Sequence, residues 1–285
     1  MPGRMFLTAA LTFLATAAAN AGATPFTVIL DPGHGGDDTG AIANAGGKRI
    51  FEKDVTLAIA RQTQLILKSR GIPAVLTRTG DHFTALDQRT RSANLTAAHA
   101  QSAVFVSIHA NSCDESRSSG SEIYVFNAAT NEASRRLADL ENGRSTHDPG
   151  RRPAMRTQTH GTLDLIMTDL ATTANYGESI ELACAVEHAV TNGVWARTLA
   201  LRDRGVRQAL FYVLMETHMP GILFEPGFLS NRQDLAHLTS PTYQQHLARS
   251  LADGIVHWRR GQNGQRARLS AVAKSRAQHC HIVKD

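Results

Sequence analysis

Three cysteines in 285 residues, Cys113, Cys184 and Cys280, are too few for a disulfide framework, and their odd number means they cannot all pair within one chain. No internal repeats are visible, which removes solenoids and propellers. The apolar run from Met5 to Ala19 falls short of the roughly 20 residues a membrane-spanning helix needs, so no stable anchor is expected. Charge of neither sign dominates. Lys and Arg number 30 against 25 for Asp and Glu, and much of the resulting +5 sits in the tail from Arg259. A solvated basic tail is expected there, and no nucleic-acid partner. Phosphate-binding signatures are missing too. The Gly-rich stretch "DPGHGGDDTG" lacks the Lys-Ser/Thr of a P-loop and the spacing of a dinucleotide fingerprint.

What remains is a chain of 42% hydrophobic and 19% charged residues, enough to bury one principal core. Arg4 followed by the Met5–Ala19 run, with Ala-x-Ala sites at Ala19 to Ala21 and Ala21 to Ala23, has the layout of a secretory signal peptide. We therefore expect residues 1–23 to be removed and the mature protein to be an exported monomer. With no anchor and no wall-binding repeat, the periplasm of a Gram-negative bacterium is the expected compartment.

The body, residues 25–260, alternates strand and helix patterns. "FTVIL" (Phe26 to Leu30) is a short apolar run ended by Asp-Pro-Gly, as expected for a strand buried on both faces. A helix follows, with Val55, Ala58, Ile59, Leu65 and Ile66 at helical spacing and Gly71 as its stop. "IPAVLTR" (Ile72 to Arg78) is a second strand, and a second helix is opened by Thr84 and Asp87 spaced as a capping box. "AVFVSI" (Ala103 to Ile108), "SEIYVF" (Ser121 to Phe126) and "GILFE" (Gly221 to Glu225) are further strands. Ser240 and Pro241 open a closing helix whose face carries Tyr243, Leu247, Leu251, Ile255 and Trp258. The expected fold is α/β, a mostly parallel central sheet flanked by helices on both faces. The stretch between Phe126 and Gly221 is helical in character and poor in strand signals, and residues 127–200 within it read as a helical insertion on that body. Residues 261–285 read as a basic, disordered tail.

In open α/β sheets, sites form at the carboxyl ends of the strands. Three acid or imidazole side chains stand at such ends, His34, His109 and Glu225, and Glu52 opens the first helix towards the same edge. Singly, each has a plain structural reading, a loop histidine or an acid placed for the helix dipole. Jointly, two imidazoles and a carboxylate make a set typical of catalytic zinc, three protein ligands with a fourth position open. Asp31, Asp37 and Asp38 read equally well as partners of a ligand imidazole and as turn or helix caps. Arg89 and Asn94 read as structural, while Asn111 and Ser112, just past His109, are candidate substrate contacts.

The motifs "LDPGHGGDDTGA", "EKDVTLAIA", "RTGD", "LDQRTRSAN", "SIHAN", "DRGVRQALFYVL" and "MPGILFEPGFLSN" resemble those of the zinc-dependent N-acetylmuramoyl-L-alanine amidases with an amidase type 3 catalytic domain, from about Thr27 to Trp258. The resemblance implies one Zn2+ per chain on His34, Glu52 and His109, with Glu225 as the catalytic carboxylate. It also implies a peptidoglycan substrate, cut at the amide between N-acetylmuramic acid and L-alanine. One small departure is Pro226 after that acid. Zinc in such a set acidifies water towards a pKa of about 7 and polarises a carbonyl. The apolar neighbours Phe224, Pro226 and Phe228 should raise the Glu225 pKa.

"NEASRRLADLENG" (Asn131 to Gly143) reads as a helix capped by Asn131 and ended by Gly143, with an apolar stripe of Ala133, Leu137 and Leu140. Glu141, one turn beyond Leu137, lies on that stripe and needs a partner if buried. Division-associated members of the resembled family carry a similar insertion whose glutamate covers the zinc until an activator protein displaces it. That likeness implies Glu141 as an inhibitory fourth ligand, with Leu163 to Asn192 completing the regulatory insert. Two other functions stay open on the residues alone: a zinc peptidase cutting within the stem peptide, and a wall-binding module without catalysis.

Overall fold

The computed structural model describes residues 26–129, 131–144, 162–265 and 280–283. The predicted signal and most of the basic tail lie outside these residues, as does the insertion between 145 and 161. Strand Thr27–Pro32 (β1) leads to a hairpin of Ile42–Ala45 (β2) and Lys48–Phe51 (β3), helix Glu52–Ser69 (α1), strand Ala74–Leu76 (β4), helix Leu86–Ala98 (α2), and strands Ala103–Ile108 (β5) and Ser121–Phe126 (β6). Helices Glu132–Arg144 (α3) and Thr162–Thr191 (α4) come next, followed by one turn at Ala196–Leu199 (α5) and strand Asp203–Ala209 (β7). A turn at Tyr212–Met215 (α6), strand Gly221–Glu225 (β8) and helices Arg232–Leu238 (α7) and Pro241–Gln265 (α8) complete the chain.

Six strands form one sheet in the order β4-β1-β5-β8-β6-β7, parallel throughout except for the antiparallel β6–β8 pair. Side chains alternate along each strand between two apolar layers. Val28, Leu30, Val104, Val106, Ile222 and Phe224 pack with Ile59 of α1, Leu182 and Val186 of α4, and Leu247, Leu251 and Ile255 of α8. Ile29, Phe105, Tyr124 and Leu223 face the other way, against Ala93 of α2, Leu137 and Ala138 of α3, and Phe211. Burial on both faces is what the unbroken apolar runs of β1 and β5 require. Each fully buried Leu or Ile of α8 contributes about 1.5–3 kcal/mol on the transfer scale.

Several expectations are corrected in detail. Leu65 is 66% exposed. It stands six residues after the buried Ile59, about 240° around α1, so the seam runs through Val55, Ile59, Thr63 and Leu67 instead. The second helix is capped one residue late: Ala85 is its N-cap, and the Ala85 N–H donates to the Gln88 side chain at 3.4 Å. The stretch read as poor in strands contains β7, and the second half of α4 belongs to the body, with Leu182, Ala183, Val186 and Val190 fully buried. Nor is the tail wholly free. Cys184 and Cys280 form a disulfide, leaving Cys113 as the free thiol, and Ile282 makes a bridge to Val206 on β7. Among the described residues, no helix is long and apolar enough to cross a membrane.

Candidate metal centre

The carboxyl ends of β1, β5 and β8 sit side by side, so the residues just past them, or closing them, must meet. His34 follows β1 at φ 61, a left-handed conformation uncommon for a side chain with a Cβ and typical of a site held by its surroundings. Two buried arginines do the holding. Arg89 donates to the carbonyls of Pro32 and His34 at 2.8 Å each, and Arg78 to those of Pro32 at 3.0 Å and Gly33 at 2.8 Å. Arg89 also pairs at 3.3 Å with Asp31, whose other oxygen accepts from Ser107. Burial works to raise the Asp31 pKa, but Arg89 and these hydrogen bonds prevail and hold it below its ordinary value. Arg89 is thus structural, as is Asn94, which bridges the Glu216 carbonyl and the His218 N–H.

The glycines do more than turn the chain. A Cβ on Gly33 would come within 2.5–2.8 Å of the His109 ring, and one on Gly40 within 2.5 Å of both Glu52 and His34. Their bareness lets the imidazoles and the carboxylate close on one another across the backbone.

Four donor groups converge here. His34 Nε2 lies 3.1 Å from Glu52 Oε1 and 3.2 Å from Glu141 Oε2, and His109 Nδ1 lies 3.1 Å from each of the same two oxygens. Four ligands about 2.0 Å from a zinc ion in a tetrahedron would stand about 3.3 Å apart, so these spacings fit such an ion closely. All four residues are buried, and their donor atoms lie within 4.8 Å of one another. His34 Nε2 and Glu141 Oε2 have no hydrogen-bond partner within the protein, as expected of atoms facing a metal. The outer contacts fit as well. His34 Nδ1 is 2.9 Å from Asp38 Oδ1, which also accepts from the Gly40 N–H at 3.2 Å, so that acid both partners the imidazole and caps the turn, and Glu52 accepts from the Ala41 and Ala110 N–H groups at 2.8 and 3.0 Å. Burial alone would lower the His109 pKa, but the Glu141 and Glu52 carboxylates outweigh it and push the ring up to about 10.

Glu225 closes β8 with no exposure, and both its oxygens lack a partner. Burial, helped by the Glu52, Glu141 and Glu122 carboxylates, raises its pKa well above the usual range despite the nearby His109. Asn111 also lies here, but its Nδ2 donates to Glu122 at 3.0 Å. Ser112 is half-buried beside it.

Glu141 arrives on α3. Asn131 caps that helix through the Ser134 N–H at 2.9 Å. The buried face is Ser134, Leu137, Ala138 and Glu141, while Ala133 and Leu140 of the expected stripe point outwards and the helix runs through Gly143 to Arg144. Spacing of i, i+3, i+4 and i+7 places Glu141 on the same face as Leu137. Asn142 then fixes the helix end, donating to the Leu210 carbonyl and accepting from the Tyr212 N–H, each at 2.8 Å. With α3 seated, the cavity between His34, His109, Glu141, Asn142 and Phe211 measures about 10 Å³, near the room one water needs.

The family model for N-acetylmuramoyl-L-alanine amidase matches residues 28–257. This chain belongs to that family. The amidase is 32% identical to AmiA of Escherichia coli K12 over 236 residues, 81% of this chain and 76% of AmiA. It is also 32% identical to LytC of Bacillus subtilis 168, across 82% of this chain but only 36% of that longer protein. Among solved structures, the catalytic domain of CwlV, an amidase from Bacillus (Paenibacillus) polymyxa var. colistinus, aligns with TM-score 0.55 at 30% identity, covering 82% of this chain and 98% of the other. The amidase of Clostridium difficile 630 aligns with TM-score 0.60 at 27% identity over 84% of this chain and 99% of the other. The mostly parallel sheet with flanking helices is therefore the amidase catalytic fold.

Proposed function

We propose that this amidase is an exported, zinc-dependent peptidoglycan hydrolase that cuts the amide between N-acetylmuramic acid and L-alanine, acts in wall remodelling and daughter-cell separation, and rests in a self-inhibited state. The observation that carries this reading is the close, buried set of His34, Glu52, His109 and Glu141 donors beside an unpartnered, buried Glu225. His34, Glu52 and His109 would hold the ion, and Glu141 would occupy the position that a catalytic site keeps open. When bound, zinc supplies Lewis acidity towards the amide carbonyl and makes water acidic enough to react at neutral pH.

The chain's own work is positioning and proton transfer. Asp38 orients the His34 ring, and the Ala41 and Ala110 amides orient the Glu52 carboxylate. Glu225, made more basic by its dry surroundings, takes a proton from the attacking water and returns it to the alanine nitrogen as the carbon–nitrogen bond breaks. One water is consumed, and a lactyl carboxylate and a free amine leave. Asn111 and Ser112, just past His109, would be the substrate contacts. For turnover α3 would have to leave, because Glu141 fills the position beside His34 and His109 that water or the substrate carbonyl would take. We infer that an activator protein displaces it.

The test is metal analysis of the purified protein together with mass spectrometry of a peptidoglycan digest. One zinc in this centre, lost in His34→Ala, and release of intact stem peptides with a free L-alanine amine are expected. Shortened stems would assign the bond to a peptidase instead, and a fully active His34→Ala protein would end the metal assignment.

A further inference from the structure

A second set of ligand-type side chains lies at the far edge of the sheet. Glu187 projects from the buried half of α4, Asp203 begins β7, and His281 lies in the C-terminal segment. Their donor atoms are within 4.8 Å of one another. We propose that Glu187, Asp203 and His281 bind a second zinc ion, which fastens the C-terminal segment to the body of the enzyme.

The segment is delivered to this place by independent contacts. Cys184, three residues before Glu187 on one face of α4, is bonded to Cys280, so the disulfide sets His281 beside Glu187. The Val206 N–H donates to the His281 carbonyl at 2.8 Å, and the Val283 N–H returns a bond to the Val206 carbonyl at 2.9 Å. Gly205, at φ 84, admits this approach, since a Cβ there would meet the His281 carbonyl at 2.4 Å. Strand β7 is an edge of the sheet, and covering such an edge suppresses pairing with other chains.

The side chains are arranged for a cation. Asp203 Oδ1 accepts from the Gly205 N–H at 2.8 Å, which leaves Oδ2 facing His281 Nδ1 at 3.6 Å. The Glu187 and Asp203 carboxyl groups also meet each other, and the His281 N–H reaches Glu187 Oε1 at 3.4 Å. Two carboxyl groups so placed need a shared proton or a metal between them. Among the described residues, the only basic side chain in ion-pair range of either is His281. One imidazole with two carboxylates suits zinc, whereas calcium and magnesium prefer oxygen alone. Half of the His281 side chain reaches solvent, which leaves a path in and a water at the fourth position.

This inference stands apart from the reading of the main centre. Tag-free full-length protein with its disulfide intact is equilibrated with zinc, desalted and analysed for metal, beside Glu52→Gln, His281→Gln and the double variant. Two zinc ions are expected in wild type, one in each single variant and none in the double. Added zinc should also raise the melting temperature of Glu52→Gln but not of the double variant. Circular dichroism and intact mass confirm that fold and disulfide survive. One zinc in wild type that persists in His281→Gln overturns the second site and leaves Glu187 and Asp203 sharing a proton, as does His281→Gln retaining two. Failure of the main centre shows separately, as Glu52→Gln losing nothing.

Discussion

Replacing Asn142 by alanine should switch on the resting enzyme without touching any ligand. Asn142 holds the end of α3 by two hydrogen bonds, to Leu210 and from Tyr212, each 2.8 Å long. At a net worth of about 0.5–1.5 kcal/mol apiece, their loss weakens the seated state by about 1–3 kcal/mol. Every 1.4 kcal/mol is a factor of about ten, so the open population should rise roughly 5- to 150-fold, and turnover with it until opening ceases to limit the rate. Leu137 and Ala138 still anchor the helix, so global stability should change little. The assay is dye release from purified peptidoglycan with no partner protein present, and zinc content is measured on the same samples. Glu141→Ala should also be faster than wild type, but by less than deletion of α3, because the helix would still narrow the cavity. If Asn142→Ala, Glu141→Ala and the deletion all match or fall below wild type with zinc retained, α3 has no inhibitory role.

Glu225→Gln should keep its zinc while the rate falls by roughly 10² to 10⁴, the range expected for a lost proton carrier; loss of the metal would make Glu225 a ligand instead. Asp38→Ala frees the outer nitrogen of His34 and should weaken zinc binding by about 10- to 100-fold in a chelator competition, with an unchanged affinity removing Asp38 from the site. Gly33→Ala should displace the His109 ring, which leaves no room for the new methyl, so that zinc is lost while circular dichroism stays near wild type. Full zinc occupancy in that variant would show that the ring can move aside and still bind.

What could be read from the sequence follows from which side chains the sheet leaves no choice about. β1, β5 and β8 are buried on both faces, so their apolar runs are unbroken and end where polar residues begin. That made the strand ends, and with them His34, His109 and Glu225, visible without coordinates. Strand β7 was hidden because, at the sheet's edge, "DRGVRQA" is half-buried and carries charge, with Arg204 and Arg207 pairing with Glu122. The β2–β3 hairpin did leave a signal, Gly46-Gly47 between short strands, that went unread. The Cys184–Cys280 bridge left none, since no spacing rule joins residues 96 apart.

Glu141 shows why periodicity gave the correct face of α3 for a partly wrong reason. The expected stripe was Ala133, Leu137 and Leu140, yet Leu140 is 45% exposed and the buried positions include a serine and the glutamate itself. A helix whose inner face is Ser134, Leu137, Ala138 and Glu141 buries little apolar surface, about one leucine and one alanine, worth only a few kcal/mol. The Asn142 hydrogen bonds and the Glu141 carboxylate must supply the rest of its attachment. Under the proposed self-inhibition, that balance suits an element that would have to leave. A more apolar face would bind too firmly to be displaced, and a face without Glu141 would leave the centre with three protein donors and its fourth position open. The polar residues that made α3 hard to place from its pattern are the ones that would keep it removable.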